Sequence, residues 1–266
     1  MIKAILLYSM AVWPKVALVG LMAFTVFASL ALVQPPRAIA KDCKSGPLRV
    51  AIDVGHSRRD PGAISASGRT EFSFNQRFVN ELIERAKDDK RIAWIRINPS
   101  GGPIKLRERV RQAAEQNADL FVSIHHDSVN GRYVTWPKKG GPFKGPVSYA
   151  FRGFSMFVSR ENPEFEQSVR FAEAVAMRFK KAGFVQTLHH GEPIKGENRE
   201  ILRWDLGLYN APFAVVRAAT MPSVLLELGV LVHPDEEKAM DDPGVRQRKA
   251  DAILAAMVAW CEAKSK

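Results

Sequence analysis

The stretch "VAIDVGHSRRDPGA" (residues 50–63) opens the globular part of the chain and joins an apolar run to a polar loop. The run is rich in β-branched residues, which predicts a buried strand. Asp53, Gly55 and His56 stand where the run stops. A loop after a strand is a common place to build a site. A lone histidine there is most often structural, so its role depends on partners elsewhere in the chain.

Apolar strands alternate with amphipathic helices from Leu48 onward. The predicted strands are "LRVAIDV", "RIAWIRIN", "ADLFVSIHHD", "PVSYAFRGFSMFVS", "FAVVRA" and "SVLLELGVL". The predicted helices are "SFNQRFVNELIERAKDD", "IKLRERVRQAAEQN", "PEFEQSVRFAEAVAMRFKKAG" and "RQRKADAILAAMVAWCEAK". This alternation predicts a single-domain α/β fold with a mostly parallel twisted sheet and helices on both faces.

The periodicity weakens over residues 186–209, where we predict a loop with a short helix at residues 199–204. A histidine pair, His189–His190, lies in this segment. The sequence leaves two interpretations of this pair open, a second metal site or two side chains exposed to solvent. His233 is predicted to be a structural residue at the start of a helix.

The first forty residues differ from the rest, because they contain no acid and only three basic side chains, Lys3, Lys15 and Arg37. An uncharged run of 18 residues covers positions 16–33, and Ala38 and Ala40 form the small-x-small pattern that a signal peptidase reads. We predict a signal peptide over residues 1–40 and one catalytic domain over residues 41–266. An uncleaved anchor is the alternative, since 18 apolar residues reach the lower limit for a membrane span. Both interpretations export the rest of the chain, to the periplasm or the cell envelope.

The 266-residue chain has a net charge of +11, of which the predicted mature part carries +8. Its basic residues are scattered, and no RNA- or DNA-reading motif accompanies them. We therefore expect no nucleic-acid partner, and we favour an anionic wall or membrane surface as the partner. If the signal is cleaved, no lasting membrane anchor is expected. The two cysteines, Cys43 and Cys261, lie near the ends of the mature chain. Export permits a disulfide between them, and two free thiols are the open alternative.

Candidate metal ligands lie at the ends of predicted strands. His56 follows the first strand and the pair His125–His126 ends the third. Two imidazoles and a carboxylate are typical zinc ligands, so His56, Glu71 and either His125 or His126 would form a ligand set. Glu227, at the end of "SVLLE" in an apolar run, fits a carboxylate that accepts and returns a proton.

Four motifs in order resemble the zinc-dependent N-acetylmuramoyl-L-alanine amidases, a family of exported cell-wall hydrolases. The family's "IDxGHGGxDPGA" corresponds to "IDVGHSRRDPGA", and its "SIHAN" or "SIHAD" corresponds to "SIHHDS". The family glutamate that opens a helix corresponds to Glu71 in "GRTEFSFN", fifteen residues after His56. The family's "MPAVLVELGFLSNPEEE" corresponds to "MPSVLLELGVLVHPDEE". Order and spacing agree along nearly the whole mature chain.

The resemblance implies one catalytic zinc ion held by His56, Glu71 and His125, with Glu227 as the catalytic carboxylate. The strand pattern leaves His125 and His126 equivalent. The family motif selects His125, because the next position there is usually alanine.

Further residues are implied to lie around this set. Asp127 would orient a ligand or touch the metal, His126 would support the ligands, and Arg217 would contact an anionic group of the substrate. Residues 186–209 are the candidate for a gate over the site. Since some relatives carry a plug that a partner removes, a protein activator is a further expectation.

The implied reaction is hydrolysis of the amide between the lactyl group of N-acetylmuramic acid and L-alanine of the peptidoglycan stem peptide. Zinc-activated water would attack the lactyl carbonyl, and Glu227 would carry the proton to the leaving amine. Two alternatives stay open. One is an inactive wall-binding or regulatory protein that kept the fold, and the other is a zinc peptidase that cuts another wall peptide bond.

Overall fold

The computed structural model describes residues 46–263, which are built around one seven-stranded sheet with the order β2-β1-β3-β7-β4-β6-β5. The strands are β1 (Leu48–Val54), β2 (Ile92–Ile97), β3 (Leu120–Asp127), β4 (Ser155–Val158), β5 (Glu200–Arg203), β6 (Leu208–Asn210) and β7 (Ser223–Val230). Four pairings are parallel, while β4 with β7 and β5 with β6 are antiparallel. The prediction of a mostly parallel sheet is therefore confirmed.

Helices cover both faces of the sheet. They are α1 (Glu71–Arg85), α2 (Leu106–Glu115), α3 (Phe165–Lys181), α4 (Ala214–Ala218), α5 (Pro234–Asp241) and α6 (Pro243–Ala263). Helices α1, α3 and α6 bury side chains such as Phe78, Phe179 and Met257 against one face. Helices α2 and α4 cover the other face with Val110 and Val216. The prediction of a single α/β domain with helices on both faces is thus confirmed.

The strands β1, β3 and β7 lie side by side in the sheet and run in the same direction. Their carboxyl ends therefore meet at one edge, which is where ligands bind in sheets of this type. The register of β3 with β7 shifts there, because His125 pairs with Glu227 whereas Asp127 pairs with Val230. Such a bulge re-aims side chains next to a site.

Three local predictions are wrong. Glu227 does not end its strand, because β7 continues to Val230. The "FAVVRA" run forms helix α4 and not a strand; a short apolar run cannot be assigned by periodicity alone. The helix predicted at residues 199–204 is misplaced, because Glu200–Arg203 form β5, a mostly exposed strand at the edge of the sheet, and a short 3-10 helix follows at Trp204–Leu206. His233 does precede a helix, since it is the N-cap of α5.

The predicted signal peptide and Cys43 lie outside the described residues. Cys261 is buried in α6 and is disulfide-bonded, so it is not a free thiol. Within residues 46–263, every helix is too short or too polar to cross a bilayer.

Candidate metal centre

Three side chains from separate elements meet at the carboxyl edge of the sheet. His56 lies in the loop after β1, Glu71 is the first residue of α1, and His125 lies in β3. Glu71 Oε2 lies 2.9 Å from His56 Nε2, and Glu71 Oε1 lies 2.9 Å from His125 Nδ1. One ligand atom from each residue lies within 4.8 Å of the other two. This group, which we call the open cluster, can hold a metal ion.

Two glycines make room for the open cluster. A Cβ atom at Gly55 would lie 2.4 Å from His125 Nε2. A Cβ atom at Gly62, whose φ is +77°, would lie 2.4 Å from Glu71 Oε2 and 2.7 Å from His56 Nε2. The positive φ at Gly62 also favours glycine. The glycines of "VGH" and "DPGA" are therefore explained by the close approach of the three side chains.

His56 itself has a left-handed backbone, with φ of +66°. A residue other than glycine adopts this conformation only when its surroundings enforce it. Its carbonyl oxygen accepts hydrogen bonds from Asn98 Nδ2 at 2.8 Å and from Arg109 Nη2 at 2.5 Å. These two donors hold the loop in the conformation that directs His56 toward the cluster.

Arg109 is in turn fixed by a buried ion pair. Its Nη1 atom donates to Asp53 Oδ1 at 2.6 Å and to the Val54 carbonyl at 2.7 Å. Ser123 Oγ donates to the other oxygen of Asp53 at 2.7 Å. Asp53 and Arg109 are 1% and 2% exposed, respectively. The charged pair thus links β1, β3 and α2 directly beneath the loop that carries His56.

The carboxylate of Glu71 is held in its charged form. Burial alone would raise its pKa, but hydrogen bonds and charge interactions with His125 and His56 outweigh burial and lower the pKa below its usual range. Asn75 Nδ2 and the His126 backbone N–H both donate to Glu71 Oε1 at 3.2 Å. A buried charged carboxylate beside two imidazoles is what a divalent cation requires of its ligands.

Glu227 lies beside the open cluster and lines a cavity that His56 and His125 also line. This cavity has a volume of about 760 Å³, and apolar side chains such as Leu106 and Val215 form a further part of its lining. Glu227 Oε2 is buried without a hydrogen-bond partner in the described part of the chain. Burial, together with the negative charges of Asp127 and Glu71, raises the pKa of Glu227.

His126 points to the opposite face of β3 from His125, as the strand period requires. Its Nδ1 atom lies 2.7 Å from Asn75 Oδ1, and the same Asn75 contacts Glu71. Burial, with the nearby charge of Lys249, lowers the pKa of His126 to about 3, so the ring is neutral. The structure therefore places His126 behind Glu71 and not among the converging ligand atoms.

The remaining predicted positions lie farther from the cavity. Asp127 is buried, and its Oδ2 atom lies 2.8 Å from His190 Nε2. Arg217 is exposed on α4 and does not line the cavity. None of the described lining residues comes from residues 186–209. The structure thus brings neither Arg217 nor the proposed gate into the cavity wall, and their predicted roles remain untested.

A sequence model of the family described as N-acetylmuramoyl-L-alanine amidase matches residues 50–259. The chain belongs to this family. The amidase AmiC of Escherichia coli O6:H1 is 24% identical over 255 residues, which cover 86% of this chain and 57% of AmiC. The amidase AmiA of Escherichia coli K12 is 29% identical over 263 residues, covering 88% of each chain. This chain spans little more than half the length of the first two curated relatives that it matches, 57% and 54%.

Solved structures of this amidase family share the fold. The catalytic domain of the amidase CwlV from Paenibacillus polymyxa is 26% identical, with a TM-score of 0.61 over 80% of this chain and 97% of that domain. The amidase Ami1 from Mycobacterium smegmatis is 21% identical, with a TM-score of 0.63 over 82% of this chain and 98% of Ami1. The fold is therefore that of amidase catalytic domains.

Sequence reasoning missed the residues that support the open cluster, namely Asn75, Asn98 and Arg109. Their signal in the sequence is weak. Arg109 occurs in the charged run "LRERVRQ", where a buried arginine cannot be distinguished from the exposed ones. Asn75 follows Glu71 by one helical turn, a spacing that places both side chains on the same side of α1.

Proposed function

We propose that this chain is a zinc-dependent amidase that cleaves the bond between N-acetylmuramic acid and L-alanine in peptidoglycan. The observation that carries the proposal is the convergence of His56, Glu71 and His125, together with the place of His56, His125 and Glu227 in the wall of one cavity. Membership of the amidase family supports the same activity. The donor set also fits zinc, since two imidazoles and one carboxylate with an open side are typical of catalytic zinc sites.

His56, Glu71 and His125 would hold the ion, and the cavity gives access to it. When bound, zinc would supply a water of lowered pKa and polarise the carbonyl of the scissile amide. The chain's own part is to hold the ligands in place. Glu71 is kept charged by its imidazole neighbours, and the His56 carbonyl is fixed by Asn98 and Arg109.

Glu227 would move the proton. Its Oε2 atom is buried, lacks a partner among residues 46–263 and belongs to a side chain that lines the cavity. A carboxylate with a raised pKa takes a proton from an attacking water and can return it to the amine that leaves. Cleavage of an amide needs this second transfer, because an unprotonated amine is a poor leaving group.

The shape of the cavity suits a substrate that carries a peptide. Its volume of about 760 Å³ lies in the range of ligand sites. The lining includes the apolar side chains of Leu106, Phe213 and Val215. Such side chains can exclude water from the part of the substrate that they contact.

We also infer that the chain acts outside the cytoplasm, in the periplasm or the cell envelope. The apolar, acid-free leader supports export. The net charge of +8 on the predicted mature chain favours contact with an anionic wall. A protein activator and the gate at residues 186–209 remain hypotheses.

The deciding experiment is mass spectrometry of purified peptidoglycan after digestion by the zinc-loaded protein. We expect free stem peptides that begin with an unmodified L-alanine amine, together with intact glycan. Cuts between two amino acids would instead show a zinc peptidase. Absence of any release, in folded protein that contains zinc, would leave a binding or regulatory protein.

A further inference from the structure

A second histidine–carboxylate cluster lies next to the open cluster. Asp127 Oδ2 lies 2.8 Å from His190 Nε2 and 3.4 Å from His189 Nε2. One ligand atom of each residue lies within 4.8 Å of the other two. We call these three residues the closed cluster, because all are buried and none lines the cavity.

Each histidine ring of the closed cluster is oriented by a polar partner at its Nδ1 atom. His190 Nδ1 lies 2.9 Å from Glu197 Oε2, and His189 Nδ1 lies 2.8 Å from Thr187 Oγ1. Both Nε2 atoms are thereby directed toward the same carboxylate oxygen of Asp127. Histidines that bind metals usually have such an outer partner, which fixes the ring and its tautomer.

Something positive must lie between His190 and Asp127. If Nδ1 of His190 donates its proton to Glu197, a neutral ring presents a lone pair at Nε2 to the carboxylate of Asp127. Two lone pairs at 2.8 Å repel each other unless a second proton or a metal ion separates them. The open cluster shows the same pattern, with imidazole nitrogens 2.9 Å from both oxygens of Glu71.

The closed cluster and the adjacent Glu197 contain carboxylates that a divalent ion can neutralise. Asp127 Oδ2 lies 2.8 Å from His190 Nε2, and Glu197 Oε2 lies 2.9 Å from His190 Nδ1. Arg199 Nη1 lies 2.6 Å from Glu197 Oε2, and the Arg199 side chain is partly exposed. A divalent ion bound to neutral imidazoles can take the place of the proton that His190 would otherwise carry between Asp127 and Glu197.

We propose that Asp127, His189 and His190 form a second metal site, which takes a zinc-type divalent cation in a structural role. Two imidazole nitrogens and one carboxylate oxygen are suited to zinc. The Ser128 carbonyl oxygen, 3.3 Å from His189 Nε2, is a further oxygen at the cluster. The ion would tie residues 187–197 to the end of β3, beside the strand that carries Glu227.

The test is the zinc content per chain of untagged full-length protein, measured by elemental analysis after equilibration with Zn²⁺ and removal of the free ion. We expect two ions in the wild type, one in His190→Gln and one in His56→Ala. His233→Gln is the matched control, because His233 is also buried but belongs to neither cluster. It should keep both ions.

One ion in the wild type, kept in His190→Gln and lost in His56→Ala, would overturn the second site and leave the proposed function intact. Calorimetric titration of the metal-free wild type with Zn²⁺ gives a result that does not depend on a variant folding. Two binding events per chain support the proposal, and a single event contradicts it. The proposed amidase activity is judged separately, from the digestion products.

Discussion

The open and closed clusters use the same kinds of side chain in different surroundings. In the open cluster, the His56 side chain is 32% exposed and His125 is 15% exposed, and both line the cavity. In the closed cluster, His189 is 1% exposed and His190 is 8% exposed. The two clusters therefore differ in exposure to solvent more than in the type of donor. Only the exposed cluster can admit water and substrate, whereas a buried one can serve only to stabilise the fold.

The largest expected difference between the clusters is in turnover. Glu227→Gln should lower kcat on purified peptidoglycan by about 10²- to 10⁴-fold, because the amide cannot accept the proton. Glu197→Gln, the matched change beside the closed cluster, should retain nearly wild-type kcat. Zinc analysis should show that Glu227→Gln still binds metal at the open cluster. Near-full activity in Glu227→Gln would remove Glu227 from the mechanism.

The next difference is in stability. His190→Ala should lower the free energy of unfolding by about 3 kcal/mol, because it removes the partner that the buried Asp127 carboxylate shares with the partly buried Glu197. His56→Ala should cost less than about 1 kcal/mol, since that side chain is partly exposed. Urea denaturation of both variants in the presence of a chelator measures the contrast. Equal losses would show that the two clusters contribute alike to the fold.

When the closed cluster is free of metal, His190 should make the free energy of unfolding depend on pH. Burial lowers the pKa of His190, but Asp127 and Glu197 outweigh burial and raise the pKa from 6.5 to about 9. His189 and Tyr209 also face this ring. A raised folded-state pKa gives stability that is full below pH about 6.5 and is lost as the pH rises through about 9.

The expected loss is on the order of 2–3 kcal/mol between these pH values. It is measured as the unfolding free energy of chelator-treated wild type minus that of His190→Gln at each pH. Zinc should weaken this dependence, because the ion replaces the proton. A difference that stays flat from pH 6 to 10, or that grows as the pH rises, would contradict the assignment of a charged His190.

The smallest expected effect concerns the support of the open cluster. Arg109→Lys keeps the charge beside Asp53 but loses the forked donation to the His56 carbonyl, so zinc affinity should fall about tenfold. Arg107→Lys is the control, because Arg107 is exposed on the same helix. Competition with a chromogenic chelator measures both affinities. An unchanged affinity in Arg109→Lys would mean that Asn98 alone holds the loop.

Much of the fold was predictable because β1, β3 and β7 are long apolar runs separated by strongly periodic helices. The weakly patterned segments were not. Residues 214–218 have too few turns to show a helical period, and β5 is an exposed edge strand whose side chains carry little apolar signal. In both segments, packing against the existing sheet decides the structure, and local sequence does not record it.

The candidate site, like the fold, was only partly predictable from the sequence. His56, Glu71, His125 and Glu227 could be placed together because their residue types indicate metal chemistry and because the resemblance to the amidase motifs selects His125 over His126. The pair His189–His190 could not be joined to Asp127, since the contact spans about sixty residues and depends on how residues 186–209 return to β3. The support from Arg109 was hidden for a similar reason, because the buried role of a charged residue appears only in three dimensions.

The left-handed backbone at His56 has a consequence for how the open cluster would take up a metal ion. Since Asn98 and Arg109 fix that loop through hydrogen bonds within the protein, the unfavourable conformation is already adopted when the chain has folded. Binding of a metal ion at the open cluster would then need no rearrangement of the main chain at His56. The cost of the left-handed backbone would be met by folding and not by the ion.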